Sequence, residues 1–98
     1  MVKIFLEDIL YVESCRDYIK IFRKGFPPVH AKQSITTLEV MLPVNLFIRI
    51  HRSFIVSLNK ITAYTYHDIE IGTIELPIGR QYASAVKKVS MNNNYLIK

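Results

Sequence analysis

The run Phe47-Ile48-Arg49-Ile50-His51-Arg52-Ser53-Phe54-Ile55-Val56-Ser57-Leu58 constrains the chain more than any other segment. Two strongly apolar, β-branched stretches flank the polar triplet His51-Arg52-Ser53. Such residues favour extended backbone, so both flanks read as strands. A core strand has no use for three polar side chains at its middle, whereas a surface corner between two strands does. Each member of the triplet can serve a phosphate. Arg52 offers a forked cation, Ser53 a hydroxyl donor and His51 a ring N–H. The run reads as rigid β-scaffold presenting a short anion-binding edge, and nucleic acid is the obvious large anion.

The rest of the chain is mostly extended as well. Met1–Leu6 and Ile9–Glu13 are short apolar runs, with a turn between strands expected at Glu7-Asp8. Asp17–Arg23 alternates, with Ile19 and Ile21 on one face and Tyr18, Lys20 and Phe22 on the other, as in a half-buried strand. Gly25-Phe26-Pro27-Pro28 stops it, and Val29–Ser34 is expected to return as its hairpin partner. Lys60–Tyr66 alternates again, and Gly72-Thr73 between Asp68–Ile71 and Ile74–Leu76 signals a two-residue hairpin.

Two segments break the pattern. Thr36 and Glu39 have capping-box spacing, which predicts a short helix through Leu42 that turns Leu38, Met41 and Leu42 to the core and ends at Pro43. Tyr82, Ala85, Val86 and Val89 share one helical face, with Lys87 and Lys88 in the last turn. A polar, frayed tail is expected over residues 90–98. The fold class that follows is mainly β: antiparallel sheets with two short helices, in one domain over residues 1–98.

Charge refines this reading. The net charge is +5, but its distribution says more. From Ser14 to His67 there are eight bases (Arg16, Lys20, Arg23, Lys24, Lys32, Arg49, Arg52, Lys60) against two acids (Asp17, Glu39). That segregation fits a basic face as well as it fits an ordinary solvated surface. Cys15 is the sole cysteine, which excludes an internal disulfide and fits a reducing compartment, the cytoplasm. The longest apolar runs are far too short to span a membrane, so no membrane partner is expected.

Enzyme classes fail on inventory. His51 and Ser53 come with no oxyanion loop and no base-orienting acid. His30, His51 and His67 lack metal-ligand spacing. Gly25, Gly72 and Gly79 are isolated, so there is no phosphate-binding glycine loop. No catalytic residue and no cofactor is expected.

Taken together, the segments resemble the LytTR DNA-binding domain, the output module of many bacterial response regulators. Asp8-Ile9-Leu10-Tyr11-Val12-Glu13 is similar to the family's opening motif, and Asp17-Tyr18-Ile19-Lys20-Ile21 to its "N-Y-V" strand. Phe47–Val56 matches its most specific motif almost throughout, and Glu75–Tyr82 is similar to its closing strand-to-helix segment. The resemblance covers roughly residues 4 to 90 in order. It implies stacked antiparallel sheets, the LytTR β-β-β fold, whose loops enter successive major grooves with a minor-groove contact between them. By position, it implies DNA contacts at Arg16, Tyr18 and Lys20, at His51, Arg52 and Ser53, and at Arg80 with Gln81. Lys60 joins these as a candidate phosphate contact. The implied partners are double-stranded DNA in paired half-sites, a second copy of the chain on that DNA, and an upstream receiver domain. Two departures stand out. Ser57 occupies a position where the family often has Asn, and the first strand upstream of Lys3 is truncated. The chain thus resembles an excised C-terminal domain, with a natural short protein as the other reading.

Each candidate has a plainer reading beside it. Arg80 after Gly79 suits a guanine edge or simple solvation at a helix start. Arg52 suits a minor groove, a phosphate or a salt bridge. Ser53 suits phosphate or turn backbone, His51 phosphate or packing, and Tyr18 a base or the core. Two other functions remain open at this stage. A single-stranded nucleic-acid or RNA module would stack bases on Tyr11, Tyr18, Phe22, Tyr64 and Tyr66. A protein-interaction module would use an exposed sheet edge.

Overall fold

A computed structural model describes residues 3–92 of the protein. The order is β1 (Ile9–Cys15), β2 (Tyr18–Arg23), β3 (Phe26–Ala31), α1 (Ile35–Met41), β4 (Phe47–His51), β5 (Phe54–Ser57), β6 (Ala63–Tyr64), β7 (Asp68–Ile71), β8 (Ile74–Pro77) and α2 (Ala83–Asn92). Short 3-10 turns fill Leu6–Asp8, Leu58–Lys60 and Arg80–Tyr82. The strands form a five-stranded sheet, ordered β3-β2-β1-β5-β4, and a three-stranded sheet, ordered β6-β7-β8. Every pairing is antiparallel.

The centre of the larger sheet is buried on both faces, which is why β1 and β5 carry consecutive apolar residues, whereas β2 and β3 are more exposed. Ile9, Val12, Ile19, Ile21, Phe47 and Ile55 pack with Ile35 and Leu42 around α1. Tyr11, Ile50 and Val56 pack instead with Ile61, Tyr64, Ile69, Ile71 and Leu76 of the smaller sheet and its approach, and with Val86 of α2. Neighbours in sequence thus serve opposite cores: Tyr11 against Val12, and Ile55 against Val56. Ile55 is 1% exposed; truncating so buried an isoleucine to alanine costs about 2–5 kcal/mol. β3 is an edge strand, and Pro27 and Pro28 remove amide donors from it, which discourages strand addition there.

Several expectations need correction. β3 begins at Phe26, so the two prolines lie inside the returning strand rather than in the break before it. α1 is capped by Ser34, not Thr36: the Ser34 hydroxyl accepts from the Thr37 amide at 3.0 Å. Glu39 is not a capping residue; it reaches a distant arginine. Ile35 and Leu42 are buried and Leu38 partly so, but Met41 is 70% exposed. Lys60–Tyr66 yields only the two-residue β6, and its Ala63 and Tyr64 are both buried, so the expected division into one buried and one exposed face is not kept. Lys3–Phe5 is not a strand, and residues 1 and 2 lie outside the described residues. α2 runs on through Ser90, which is buried, and to Asn92; the remainder of the expected tail lies outside the described residues. The Gly72-Thr73 hairpin forms as read, with Ile71 opposite Ile74.

Candidate nucleic-acid interface

The pairing registers gather distant segments at one end of the larger sheet. Cys15 opposes Tyr18, so Arg16 and Asp17 form the tip between β1 and β2. Glu13 opposes Phe54, so the Arg52-Ser53 corner between β4 and β5 lies at the same end. The Ser14 amide donates to the Ser53 carbonyl at 2.8 Å, which ties the two tips together. The third segment arrives beside β4. The Gly79 amide donates to the Ile50 carbonyl at 2.7 Å. His51, Arg52, Gly79, Arg80, Gln81 and Tyr82 then line one shallow cleft. Three of the implied contact regions are therefore contiguous.

The corner is built, not loose. Its register shift falls between Arg49 and His51, so Ile50 is an extra residue that bends β4 outward. The Ser53 amide donates to His51 Nδ1 at 3.0 Å. Nδ1 accepts here, so the ring proton belongs on Nε2, which has no hydrogen-bond partner among the described residues. The His51 ring also rests against Phe54, with centroids 5.5 Å apart. His51 is thus a structural histidine whose second nitrogen stays available. Arg52 is exposed, and its side chain makes no ion pair among the described residues, so the salt-bridge reading is not realised.

The β1–β2 tip carries strain. Arg16 has a φ of 56°, and among the described residues it is the sole non-glycine at positive φ. For an L-residue that conformation costs about 1–2 kcal/mol. Next to it, Tyr18 is 37% exposed, which rules out core packing. Its ring lies 5.5 Å from that of His30 on β3. Lys20 opposes His30 in register and extends its ammonium over the Phe22 ring at 5.4 Å. Tyr18, Lys20 and His30 therefore share one exposed sheet face, and exposed Lys32 follows β3 at the same end. His30 and Lys32 were missed at this site by sequence reasoning; the hairpin register is the signal that would have found them.

Lys60 is not brought to the site. It closes the 3-10 turn after β5, at the opposite end of that strand from Ser53. Arg23 and Lys24 also lie at the far end of β2. Arg23 is turned back onto the Pro27 carbonyl at 2.9 Å and the Phe26 ring at 4.8 Å. Arg80 and Gln81 open the 3-10 turn that leads into α2, and both are exposed. Of the aromatics considered for base stacking, Tyr11 and Tyr64 are buried, and Tyr11 stacks on Phe22 at 4.4 Å. Tyr18 offers an exposed ring at this end, and Tyr66, 72% exposed, lies in the turn between β6 and β7, where the neighbouring His67 carbonyl accepts from the Ile78 amide next to Gly79.

Among the described residues, no group of three or more His, Cys, Asp or Glu side chains can hold a metal ion. No helix among them is long and apolar enough to cross a membrane. Comparison with known proteins agrees with the geometry. Residues 1–91 match the family model described as the LytTr DNA-binding domain. The chain is 32% identical over 97 aligned residues to the sensory transduction protein LytT of Bacillus cereus and to that of Bacillus anthracis. The alignment covers 91% of this chain but 38% of each relative, so the chain spans well under half of their length. The fold superposes with a TM-score of 0.81, at 26% identity, on the LytTr DNA-binding domain of a Bacillus cereus protein described as a methyl-accepting/DNA response regulator. That match covers 90% of this chain and 85% of the other. With the family's sequence pattern, its stacked antiparallel sheets and its converging loops all present, this chain belongs to the LytTR family of DNA-binding domains.

Proposed function

We propose that this domain binds double-stranded DNA with sequence preference, as the output element of a cytoplasmic response regulator that controls transcription. The observation that carries the reading is the convergence of Arg16, Arg52 and Arg80 at one end of the larger sheet. These are three exposed arginines from three separate segments, joined by backbone hydrogen bonds. Phosphate contacts from Lys20, Lys32, Ser53 and the His51 Nε2–H would fix register, while forked arginines read base edges. Asp17 is an exposed acid at this tip with no ion pair among the described residues, and it would keep non-specific attachment weak. Lys60 has no part in this surface. Dimerisation on paired half-sites, and control by a receiver domain on the same polypeptide, are further parts of the proposal. They are supported by the relatives' greater length and by the modest surface one such domain can offer.

Anisotropy titrations with labelled duplex, single-stranded DNA, duplex RNA and single-stranded RNA test the class of ligand. Duplex DNA should bind most tightly. With about five phosphates neutralised, log K should fall against log salt with a slope of about −4 to −5. Selection from a random duplex pool should enrich a motif repeated at about one helical turn. Equal binding to all four probes, or a slope shallower than about −1, would reject the reading.

A further inference from the structure

We propose that Arg49 is the positioning residue of the DNA-binding corner, and that Glu39 on α1 holds it in that role. The inference rests on the reading that this corner meets DNA. Arg49 is not itself a phosphate contact, because its side chain is only 9% exposed and its donors are engaged inward. Nε donates to the His51 carbonyl at 2.7 Å, and Nη2 donates to the Arg52 carbonyl. Nη1 donates to Glu39 Oε1 at 2.7 Å, and the guanidinium carbon lies 5.7 Å from the Tyr82 ring centre. One planar group thus joins β4, the corner, α1 and the turn that carries Arg80.

The two carbonyls it holds belong to the two peptide units that meet at the Arg52 Cα. A peptide unit is planar, so pinning its oxygen pins its orientation. With both planes fixed, the direction in which the Arg52 side chain leaves the backbone is fixed as well. Glu39 sets the rotation of the fork from the other side. A lysine at this position would keep the charge but not the planar fork that addresses two carbonyls and a carboxylate together. The role is therefore geometric, and it separates from charge by sign. Removing an acid near a DNA-binding surface should strengthen binding by electrostatics alone. Loss of positioning should weaken binding to the preferred sequence.

The test uses anisotropy with the selected duplex and a scrambled duplex of equal length, on the wild-type chain and its variants. Glu39→Gln should bind the selected duplex about three- to fivefold more weakly, while the scrambled duplex binds equally or more tightly. Arg49→Lys should weaken selected-duplex binding about tenfold at an unchanged salt slope; in an Arg52→Ala background the same change should cost less than about twofold, since no Arg52 remains to be aimed. Additive losses in the two backgrounds, or tighter binding of both duplexes by Glu39→Gln, would overturn the positioning role while leaving DNA binding intact. A wild-type chain that binds neither duplex would overturn the DNA reading and this inference with it. If Arg49→Lys fails to fold, Glu39→Gln alone and combined with Arg52→Ala carries the same cycle, because Glu39 is 44% exposed and its loss spares the core.

Discussion

The Gly79 amide donates to the Ile50 carbonyl at 2.7 Å, which moors the Arg80 segment to the strand that delivers His51. Gly79 has an ordinary φ of −68°, so conformational freedom does not explain it. Space does. A Cβ at this position would lie 3.1 Å from Tyr82 Cδ2 and 3.4 Å from the His51 Cα. The Tyr82 ring in turn faces the Arg49 guanidinium.

Gly79→Ala should therefore act on both sites at once. The added methyl must push Tyr82 or the corner by a few tenths of an ångström. Urea unfolding should show a loss of about 1 kcal/mol, as for mild overpacking. Duplex affinity should fall several-fold, beyond what that stability change explains, since the native state remains dominant. Unchanged affinity would mean that Arg80 and the corner act independently.

The fold was largely legible because it rests on period-two patterning and turn chemistry. The strand pair around His51-Arg52-Ser53 and the Gly72-Thr73 hairpin follow from local sequence. What sequence did not disclose depends on pairing. Arg49 reads as one more base in a basic stretch, and Glu39 as half of a capping box. Their contact requires α1 to lie across the face of the sheet on which Arg49 stands opposite Ile55, and that packing has no local signature. Lys60 was misplaced for the same reason: nearness in sequence to the motif did not survive the length of β5. His30 and Lys32 were hidden because Gly25–Pro28 reads as the break between the two strands, whereas pairing already begins with Phe26 opposite Arg23 and runs on to place His30 opposite Lys20.

Arg16 should separate stability from affinity. Its φ of 56° is one that glycine adopts freely. Arg16→Gly should hold stability or raise it by up to about 1 kcal/mol, the relieved strain being offset by glycine's freedom in the unfolded chain. Duplex binding should nonetheless weaken, with a shallower salt slope. A variant both more stable and fully active would show that the strained arginine contributes nothing to binding.

The two nitrogens of His51 are separable by substitution. Asparagine can place its side-chain oxygen near the Nδ1 position and keep accepting from the Ser53 amide. It has no counterpart of the Nε2–H donor. His51→Asn should unfold close to wild type but bind duplex DNA more weakly. His51→Ala should lose the amide's partner as well, at a cost of about 1 kcal/mol in unfolding experiments. If both variants bind DNA as wild type does, His51 is a structural residue alone.

Alkaline stability reports on the core beneath the site. Burial raises the Tyr11 hydroxyl pKa above its usual 10.0, and the negative charge of Glu13 adds to the shift. The unfolded chain therefore releases this proton at lower pH than the folded one. The resulting stability is fully present below pH 10 and is lost as pH rises through the folded-state value. Tyr11→Phe keeps the ring stacked on Phe22 but removes the titration. Urea midpoints should fall less between about pH 8 and about pH 11 in the variant than in wild type. Equal falls would assign the alkaline loss to other groups.

Arg80→Ala and Arg52→Ala should weaken binding in different ways. Arg80 is exposed at the start of a turn anchored by Gly79, where its fork can address a guanine edge. Its loss should cost about 1–3 kcal/mol on the selected duplex and relax preference at one base pair. Arg52 leaves a corner whose two peptide planes are held by Arg49. Its loss should lower affinity across many sequences and reduce the salt slope by about one, as for a phosphate or minor-groove contact. Both variants should unfold like wild type, since neither side chain is buried. Lys24 lies at the far end of β2 and is the control for diffuse charge, so Lys24→Ala should change little. Equal weakening of selected and scrambled duplexes by all three substitutions would mean that Arg80 reads no base and that attachment is electrostatic throughout.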